Sequence, residues 1–257
     1  KIYQVIATPV FTDGKVTGAV IIILDITEKE GREELRREFT SNVSHELKTP
    51  LTTIYGISDM LVGGIVKPTD IPGFAKNIRD EAGRMITLIE DIIKLSQLDE
   101  NSFADHEETV DILTLAQLAS ERLKPAAESK HVTINVTGKR AEMTGIRSVL
   151  EEIVYNLLDN AVKYNREGGR ADINVADGEH DITVTVSDTG IGIPADCIDR
   201  VFERFFRADK SHSRKIGGTG LGLAIVKHIA RIHNARIKLD SVVDEGTTIT
   251  VIFETAS

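Results

Sequence analysis

One short segment of the chain, SHELKTP, carries a histidine that its helical pattern predicts to be accessible. His45 lies about 160° around the helix from Val43 and Leu47, two positions of an apolar stripe, so its imidazole should face solvent. Glu46 is a neighbouring base, and Thr49 stands one turn away on the same side. An ordinary surface histidine is the alternative interpretation. The segment is HExxT, so the zinc site of HExxH metalloproteases lacks its second histidine.

A second segment has a helical pattern with an unusual polar face. Glu152, Asn156, Asn160 and Lys163 fall within a sector of about 80°, although asparagine is unfavourable inside a helix. The two carboxamide oxygens could hold Mg²⁺ while the lysine meets phosphate oxygens. A solvated helix face is the alternative interpretation.

The third segment, DTGIGIP, follows a strand pattern over 181–188. Asp188 continues the inward phase of that strand, so its carboxylate needs a buried donor such as an adenine amino group. Gly190 and Gly192 would let the backbone approach the ring closely. With Ala195 they also fit a loose dinucleotide-binding pattern, G-x-G-x-x-A. We disfavour that alternative because it needs a parallel, doubly buried strand and a following βαβ unit.

The fourth segment, GGTGLGL at 217–223, opens an amphipathic helix. Glycines at a helix start expose free amides, which make a phosphate cradle. No lysine follows in the Walker arrangement. The basic stretch 207–216 just before it suits a lid over a polyanion, and a plain surface loop is the alternative.

The N-terminal part of the chain predicts a hairpin and two long helices. Strand patterns at 2–11 and 15–25 join through Asp13-Gly14, and Thr27 with Glu30 fits a capping box at the first helix start. Pro50 should bend that helix. Glycines 63–64 and the stretch 68–73 break the helices apart. The apolar stripes are Phe39, Val43, Leu47, Leu51, Ile54 and Leu61, then Phe74, Ile78, Met85, Leu88, Ile92, Leu95 and Leu98.

Each of these stripes is too long to be covered by the other helix alone. We therefore predict that two copies pair about a C2 axis as a four-helix bundle. An acidic linker at 99–109 precedes a stretch of mixed helix and strand patterns, which predicts a second, α+β domain. Its helices are expected at 113–129 and 147–164 and twice more before the closing hairpin. Its strands are expected at 131–137, 171–176, 181–188, 235–243 and 247–254.

Composition excludes several classes of protein. The 31 Lys+Arg against 40 Asp+Glu give a net charge of −9, which disfavours a nucleic-acid footprint. A single cysteine excludes an internal disulfide. No tract reaches the roughly 18 apolar residues of a membrane span. The chain begins at Lys1 without a signal segment, so we expect it to be part of a longer protein.

The motifs SHELKTP, NLLDNAVKY, DTGIGIP, FERFFR and GGTGLGLAI, in this order, resemble those of bacterial sensor histidine kinases. LDITEKE resembles the exit from a PAS sensory domain. The resemblance implies a PAS-like remnant at 1–26 and a signalling helix with a dimerisation and histidine-phosphotransfer hairpin at 27–100. It further implies a Bergerat-type ATP-binding domain, an α/β sandwich, at 107–257.

The resemblance also implies roles for single residues. His45 would attack the γ-phosphate of ATP, Glu46 would take or orient its proton, and Thr49 would position water for dephosphorylating a partner. Asn160 matches a Mg²⁺ ligand; Asn156 would share that site, and it stands where related ATPases carry the glutamate that activates water. The implied nucleotide contacts are Asn156, Asn160, Lys163, Tyr164, Asp188, Gly190, Gly192, Arg207, Gly218, Thr219, Gly220, Leu221, Gly222 and Thr248.

The function implied is ATP-dependent autophosphorylation of His45, transfer to an aspartate of a response regulator, and dephosphorylation of that regulator. We expect a homodimer that uses ATP and Mg²⁺, with no nucleic-acid partner and no membrane contact by these residues. This part should be cytoplasmic, within a protein at the cell membrane. The alternatives are an ATPase of the same nucleotide fold and a nucleotide-binding scaffold or phosphatase.

Overall fold

The structure is a computed structural model that describes residues 1–100, 106–208 and 218–254. The chain divides into two compact units, Lys1–Ala82 and Gly83–Ser257. The first unit begins with an antiparallel hairpin of β1 (Tyr3–Thr12) and β2 (Lys15–Asp25). Its turn has positive φ at both Asp13 (50°) and Gly14 (75°), which is the predicted tight turn.

The first helix, α1 (Thr27–Val62), starts where predicted but not through the predicted capping box. Ile26 holds the N-cap position, and Thr27 is already helical. The Thr27 hydroxyl accepts a hydrogen bond from the Ile2 amide at 2.7 Å, while Asp25 Oδ1 accepts one from the Thr27 amide at 3.0 Å. The capping box is therefore wrong, because the nearby strand end competes for the threonine side chain.

The second helix, α2 (Ile71–Glu100), follows the predicted break, and the boundary between the two units falls within it. Helix α1 continues through Pro50, which is buried. Much of the apolar surface of both helices is exposed in the single chain, for example at Leu51 (56%), Ile86 (58%) and Ile93 (51%). Among the described residues, no helix is long and apolar enough to cross a bilayer.

The second unit is a two-layer α/β domain. Its sheet has the order β4-β6-β7-β9-β8, in which only the β4–β6 pair is parallel. Paired residues such as Ile173 with Val186 and Ile182 with Phe253 are buried together, so one face of the sheet carries the core. Three helices, α3, α4 and α5, pack on the sheet. The bounds are α3 (Ile112–Ser129), β4 (Thr133–Gly138), α4 (Arg147–Lys163), β6 (Arg170–Asp177), β7 (Asp181–Asp188), α5 (Gly222–Ile232), β8 (Arg236–Val242) and β9 (Gly246–Glu254).

This architecture confirms the predicted class of a helical region followed by an α/β domain, with two differences in detail. Two four-residue strands, β3 (Glu108–Asp111) and β5 (Glu142–Gly145), form a small sheet that sequence periodicity is too short to reveal. Between β7 and β8, the described residues contain one predicted helix, α5, and a 3₁₀ turn, Ala195–Cys197, that was not predicted; residues 209–217 of this stretch lie outside the described residues. Phe205 has a φ of 64°, which no α-helix can accommodate.

Candidate functional site

The two asparagines of α4 lie against the start of α5. A methyl group built on Gly222 would come within 2.8 Å of Asn156 Oδ1 and 3.7 Å of Asn160 Nδ2. Both asparagines are half-buried. The N-terminal amides and positive dipole end of α5 therefore face two carboxamides. An oxygen-seeking cation and an anion could be bound side by side here, so these residues fit Mg²⁺ with a phosphate.

The Asn156 side chain is held by its own helix. Its Nδ2 donates to the Glu152 carbonyl at 2.8 Å and to Glu152 Oε2 at 3.2 Å. These bonds use the nitrogen and leave Oδ1 toward Gly222. The predicted polar face of α4 is thus half-buried, which differs from the alternative of a solvated helix face.

Lys163, at the end of the same face, has a partner that sequence reasoning missed. Its Nζ lies 2.6 Å from Asp159 Oδ2, one turn earlier. Burial disfavours the ammonium, but the charge and hydrogen bond of Asp159, together with Tyr155 and Tyr164, outweigh it and raise the pKa of Lys163 above its ordinary value. The lysine therefore stays charged, as a phosphate contact requires. The (i, i+4) spacing was the available signal.

Tyr164 connects the two glycine loops with the end of α4. Its carbonyl accepts a hydrogen bond from the Ile191 amide at 3.1 Å, and a methyl group on Gly190 would lie 2.4 Å from that oxygen. A methyl group on Gly218 would lie 2.5 Å from the Tyr164 hydroxyl. Burial raises the pKa of the Tyr164 phenol, although Lys163 acts in the opposite sense. The backbone contact therefore requires glycine at position 190, whereas a side chain at position 218 would have to displace the Tyr164 hydroxyl.

Asn165 is a buried residue that the motifs did not single out. Its Nδ2 donates to the carbonyls of Ala161 and Arg170, both at 2.9 Å. Its Oδ1 accepts from the Arg166 amide at 3.0 Å and the Thr189 hydroxyl at 3.4 Å. The side chain ties the end of α4 to the loop after β7. Nothing in the sequence marks it beyond its place after NLLDNAVKY.

Asp188 ends β7 half-buried, as its inward phase predicted. Burial raises the pKa of this carboxyl, while hydrogen bonds from the amides of Gly190 (2.8 Å) and Thr247 (3.3 Å) act against that rise. The antiparallel pairing of β7 with β6 and β9 excludes the dinucleotide-binding alternative. Thr248 points to the opposite face of the sheet from Asp188, because its hydroxyl lies 2.9 Å from that of its strand partner Ser187.

The remaining predicted residues of this unit line the two loops. Gly192 has a φ of 68°, and a methyl group there would lie 2.1 Å from the Val242 carbonyl oxygen. Gly220 (φ 74°) accepts a hydrogen bond from the Phe205 amide at 2.9 Å. Leu221 is fully buried, and Arg207 is half-buried. Most of the predicted lid, 209–216, and Gly217 lie outside the described residues.

The predicted acceptor lies in the first unit. His45 is exposed, as its helical phase predicted, and Glu46 is half-buried. The Thr49 hydroxyl donates to the His45 carbonyl at 3.2 Å, so the two residues share one side of α1. An exposed imidazole is open to an electrophile from solvent or from another molecule.

Comparisons with known proteins agree with this geometry. A family model described as histidine kinase-, DNA gyrase B-, and HSP90-like ATPase matches residues 145–257, and the His Kinase A (phospho-acceptor) domain matches 35–101. The mycobacterial sensor histidine kinase MprB is 30% identical over 58% of this chain and 97% of that chain, with a TM-score of 0.51. The chain belongs to the sensor histidine kinase family.

Two further similarities define the extent of the match. Sensor histidine kinase WalK of Bacillus subtilis (strain 168) is 38% identical over 242 residues, which are 92% of this chain and 39% of that protein. The chain thus spans about two fifths of this curated relative. Histidine kinase ThkA, in a crystal structure with the response regulator protein TrrA, shares the fold at 20% identity. Its TM-score is 0.65, over 99% of this chain and 75% of that chain.

Proposed function

We propose that this chain is the phosphotransfer and catalytic part of a two-component sensor histidine kinase. It moves the γ-phosphoryl group of ATP to His45 and passes it to an aspartate of a response regulator. The observation that carries this proposal is the close approach of Gly222 to Asn156 and Asn160. That approach supports a site for an anionic nucleotide and a cation in the second unit, and the exposed His45 of the first unit is available as the acceptor.

The nucleotide would be held by the second unit. Asp188 accepts a hydrogen bond from the adenine amino group, with Gly190 and Gly192 allowing close approach of the backbone. Lys163 and the amides of Gly218, Gly220 and Gly222 hold the phosphates. Asn156 and Asn160 hold Mg²⁺, which neutralises phosphate charge when bound. Tyr164, Arg207, Thr219 and Leu221 complete the proposed contacts.

The first step forms a bond between an imidazole nitrogen of His45 and the γ-phosphorus. The bond from that phosphorus to the β-phosphate bridging oxygen breaks, and ADP leaves with the electron pair. Glu46 takes the proton of the attacking imidazole. In the second step, a regulator aspartate takes the phosphoryl group from His45. ThkA, of the same fold, was crystallised with a response regulator, which favours this class of partner. In the proposed phosphatase reaction, Thr49 orients the water molecule that removes the phosphoryl group from the regulator.

Asn156 argues against hydrolysis as the main reaction. A carboxamide cannot take a proton from water at the position where related ATPases place a glutamate. The nearby Glu152 carboxylate is already engaged by Asn156 Nδ2 and by Lys94 Nζ, the latter at 2.6 Å. Neither Asn156 nor Glu152 is therefore placed to take a proton from water.

The exposed apolar surfaces of α1 and α2 support a homodimer in which two copies form a four-helix bundle. We propose the domain limits 1–26 for a PAS-like remnant, 27–100 for the phosphotransfer hairpin and 107–257 for ATP binding. The intact protein would lie at the cell membrane, with this part on the cytoplasmic side.

The test is incubation of the chain with γ-labelled ATP. We expect alkali-stable, acid-labile label on the protein, its loss in His45→Gln, and its retention in His180→Gln, a matched change at an exposed histidine. Release of labelled phosphate without protein label would favour an ATPase. Neither label nor release would favour a scaffold.

A further inference from the structure

The C-terminal half of α2 belongs to the same compact unit as the ATP-binding domain. Within this unit, the Thr219 hydroxyl donates a hydrogen bond to Asp91 Oδ2 at 2.6 Å. The same hydroxyl accepts a hydrogen bond from the Leu221 amide at 3.3 Å. A carboxylate of α2 is thus bound at the start of α5, on the loop proposed to hold the phosphates.

Asp91 lies near positive charges that are also placed to attract a phosphate group. Lys94 and Lys163 stabilise its negative charge while Glu152 opposes it, and the N-terminal end of α5 adds a positive potential. Burial is the larger influence and raises the pKa of Asp91, so the carboxylate is bound at a desolvation cost. Lys163 is also the residue proposed to contact phosphate oxygens.

Further contacts hold the C-terminal half of α2 next to α4 and α5. Lys94 Nζ lies 2.6 Å from Glu152 Oε1, and Glu152 in turn bonds the Asn156 carboxamide. Near the end of α2, Arg204 Nη2 donates to both Asp99 carboxylate oxygens, at 2.8 and 3.0 Å. The ion pairs of Lys94 and Asp99 and the hydrogen bond of Asp91 therefore all lie in the C-terminal half of α2.

Apolar burial accompanies these polar contacts. Leu95 and Leu98 of α2 are 1% and 4% exposed. The Leu98 carbonyl lies 3.1 Å from His228 Nε2 of α5. The end of α2 is thus packed as well as bonded, which keeps Asp91 close to the loop.

We infer that the Asp91 carboxylate is an internal anionic ligand of the phosphate cradle and competes there with the phosphates of the nucleotide. This inference rests on the proposed function of the cradle. Because the competitor is part of the chain, the apparent ATP affinity is reduced by the fraction of molecules in which Asp91 is bound. Movement of α2 would then alter nucleotide affinity without any change in the adenine contacts.

The test compares the binding of Mg·ATP and of adenosine to the full chain by calorimetry. Asp91→Asn keeps an acceptor for Thr219 but removes the charge, and Asp91→Ala removes both. Glu90→Gln is the matched control, because it removes one charge from the exposed neighbouring position. We expect both Asp91 variants to bind Mg·ATP roughly tenfold more tightly, with little change for adenosine or in the control.

Unchanged or weaker Mg·ATP binding in both Asp91 variants would overturn the inference, as would an equal gain for adenosine. If an Asp91 variant fails to fold, Lys94→Gln provides the second test, since it breaks the pair with Glu152 and should also tighten Mg·ATP binding. Failure of every variant and of the wild type to bind Mg·ATP would instead contradict the proposed nucleotide site itself.

Discussion

The two compact units bury their apolar residues to very different degrees. In the second unit, Ile173, Val184 and Phe253 are fully buried. Among the described residues of the first unit, only Pro50 is buried, and strand residues such as Ile23 remain 64% exposed. The second unit therefore has its own core, whereas the first unit needs further protein surface to cover its apolar side chains. The proposed nucleotide site lies in the self-sufficient unit, and the accessible His45 lies in the dependent one.

The largest expected effect is the difference in stability between two isoleucine-to-alanine variants, one in each unit. Ile173→Ala should lower the free energy of unfolding by about 2–5 kcal/mol, because it opens a cavity in a closed core. Ile23→Ala should change it by no more than about 0.5 kcal/mol, since that side chain is exposed in the single chain. Urea unfolding monitored by circular dichroism measures both values. Equal losses would contradict the contrast between the units.

The exposed apolar stripe of α1 is part of the proposed interface between two copies of the chain. Leu51→Glu should weaken self-association by about a hundredfold, because it places a charge in the proposed bundle interface. Lys48→Glu, at an exposed polar position of the same helix, is the control. Sedimentation equilibrium gives the dimer dissociation constants. A wild-type chain that stays monomeric would refute the pairing of copies.

Within the second unit, Asp188→Asn should raise the dissociation constant for ATP by about ten- to a hundredfold. The adenine amino group would lose a charged acceptor, and such hydrogen bonds contribute roughly 1.5–3 kcal/mol. Asp172→Asn removes the same charge from the neighbouring strand and should leave ATP binding unchanged. Calorimetric titration with ATP distinguishes the two, and equal affinities for the two variants would argue against Asp188 as the adenine contact.

A smaller effect is expected at Gly222. An alanine methyl group would crowd the Asn156 oxygen at 2.8 Å, so Gly222→Ala should reduce ATP affinity by about tenfold. In Gly83→Ala, the methyl group meets nothing within 4 Å, and the change should stabilise α2 by up to about 1 kcal/mol. Titration and thermal unfolding of both variants check these outcomes. Full ATP affinity in Gly222→Ala would mean that the cradle does not need this close approach.

The sequence predicted those features that local periodicity controls. Alternation placed Asp188 inward at the end of β7, and helical phase exposed His45. The wrong capping box at Thr27 shows the limit, because its competitor, Ile2, is distant in sequence. The same limit applies to the Asp91–Thr219 bond, since no local pattern encodes a partner 128 residues away.

The central claim is that the second unit binds ATP and that His45 of the first unit accepts the phosphoryl group. The most direct test measures ATP affinity and protein labelling on one variant, His45→Gln. We predict an ATP dissociation constant equal to that of the wild type and no acid-labile phosphoryl group, since only the acceptor is removed. Retained labelling, or loss of ATP binding in the folded variant, would contradict the account.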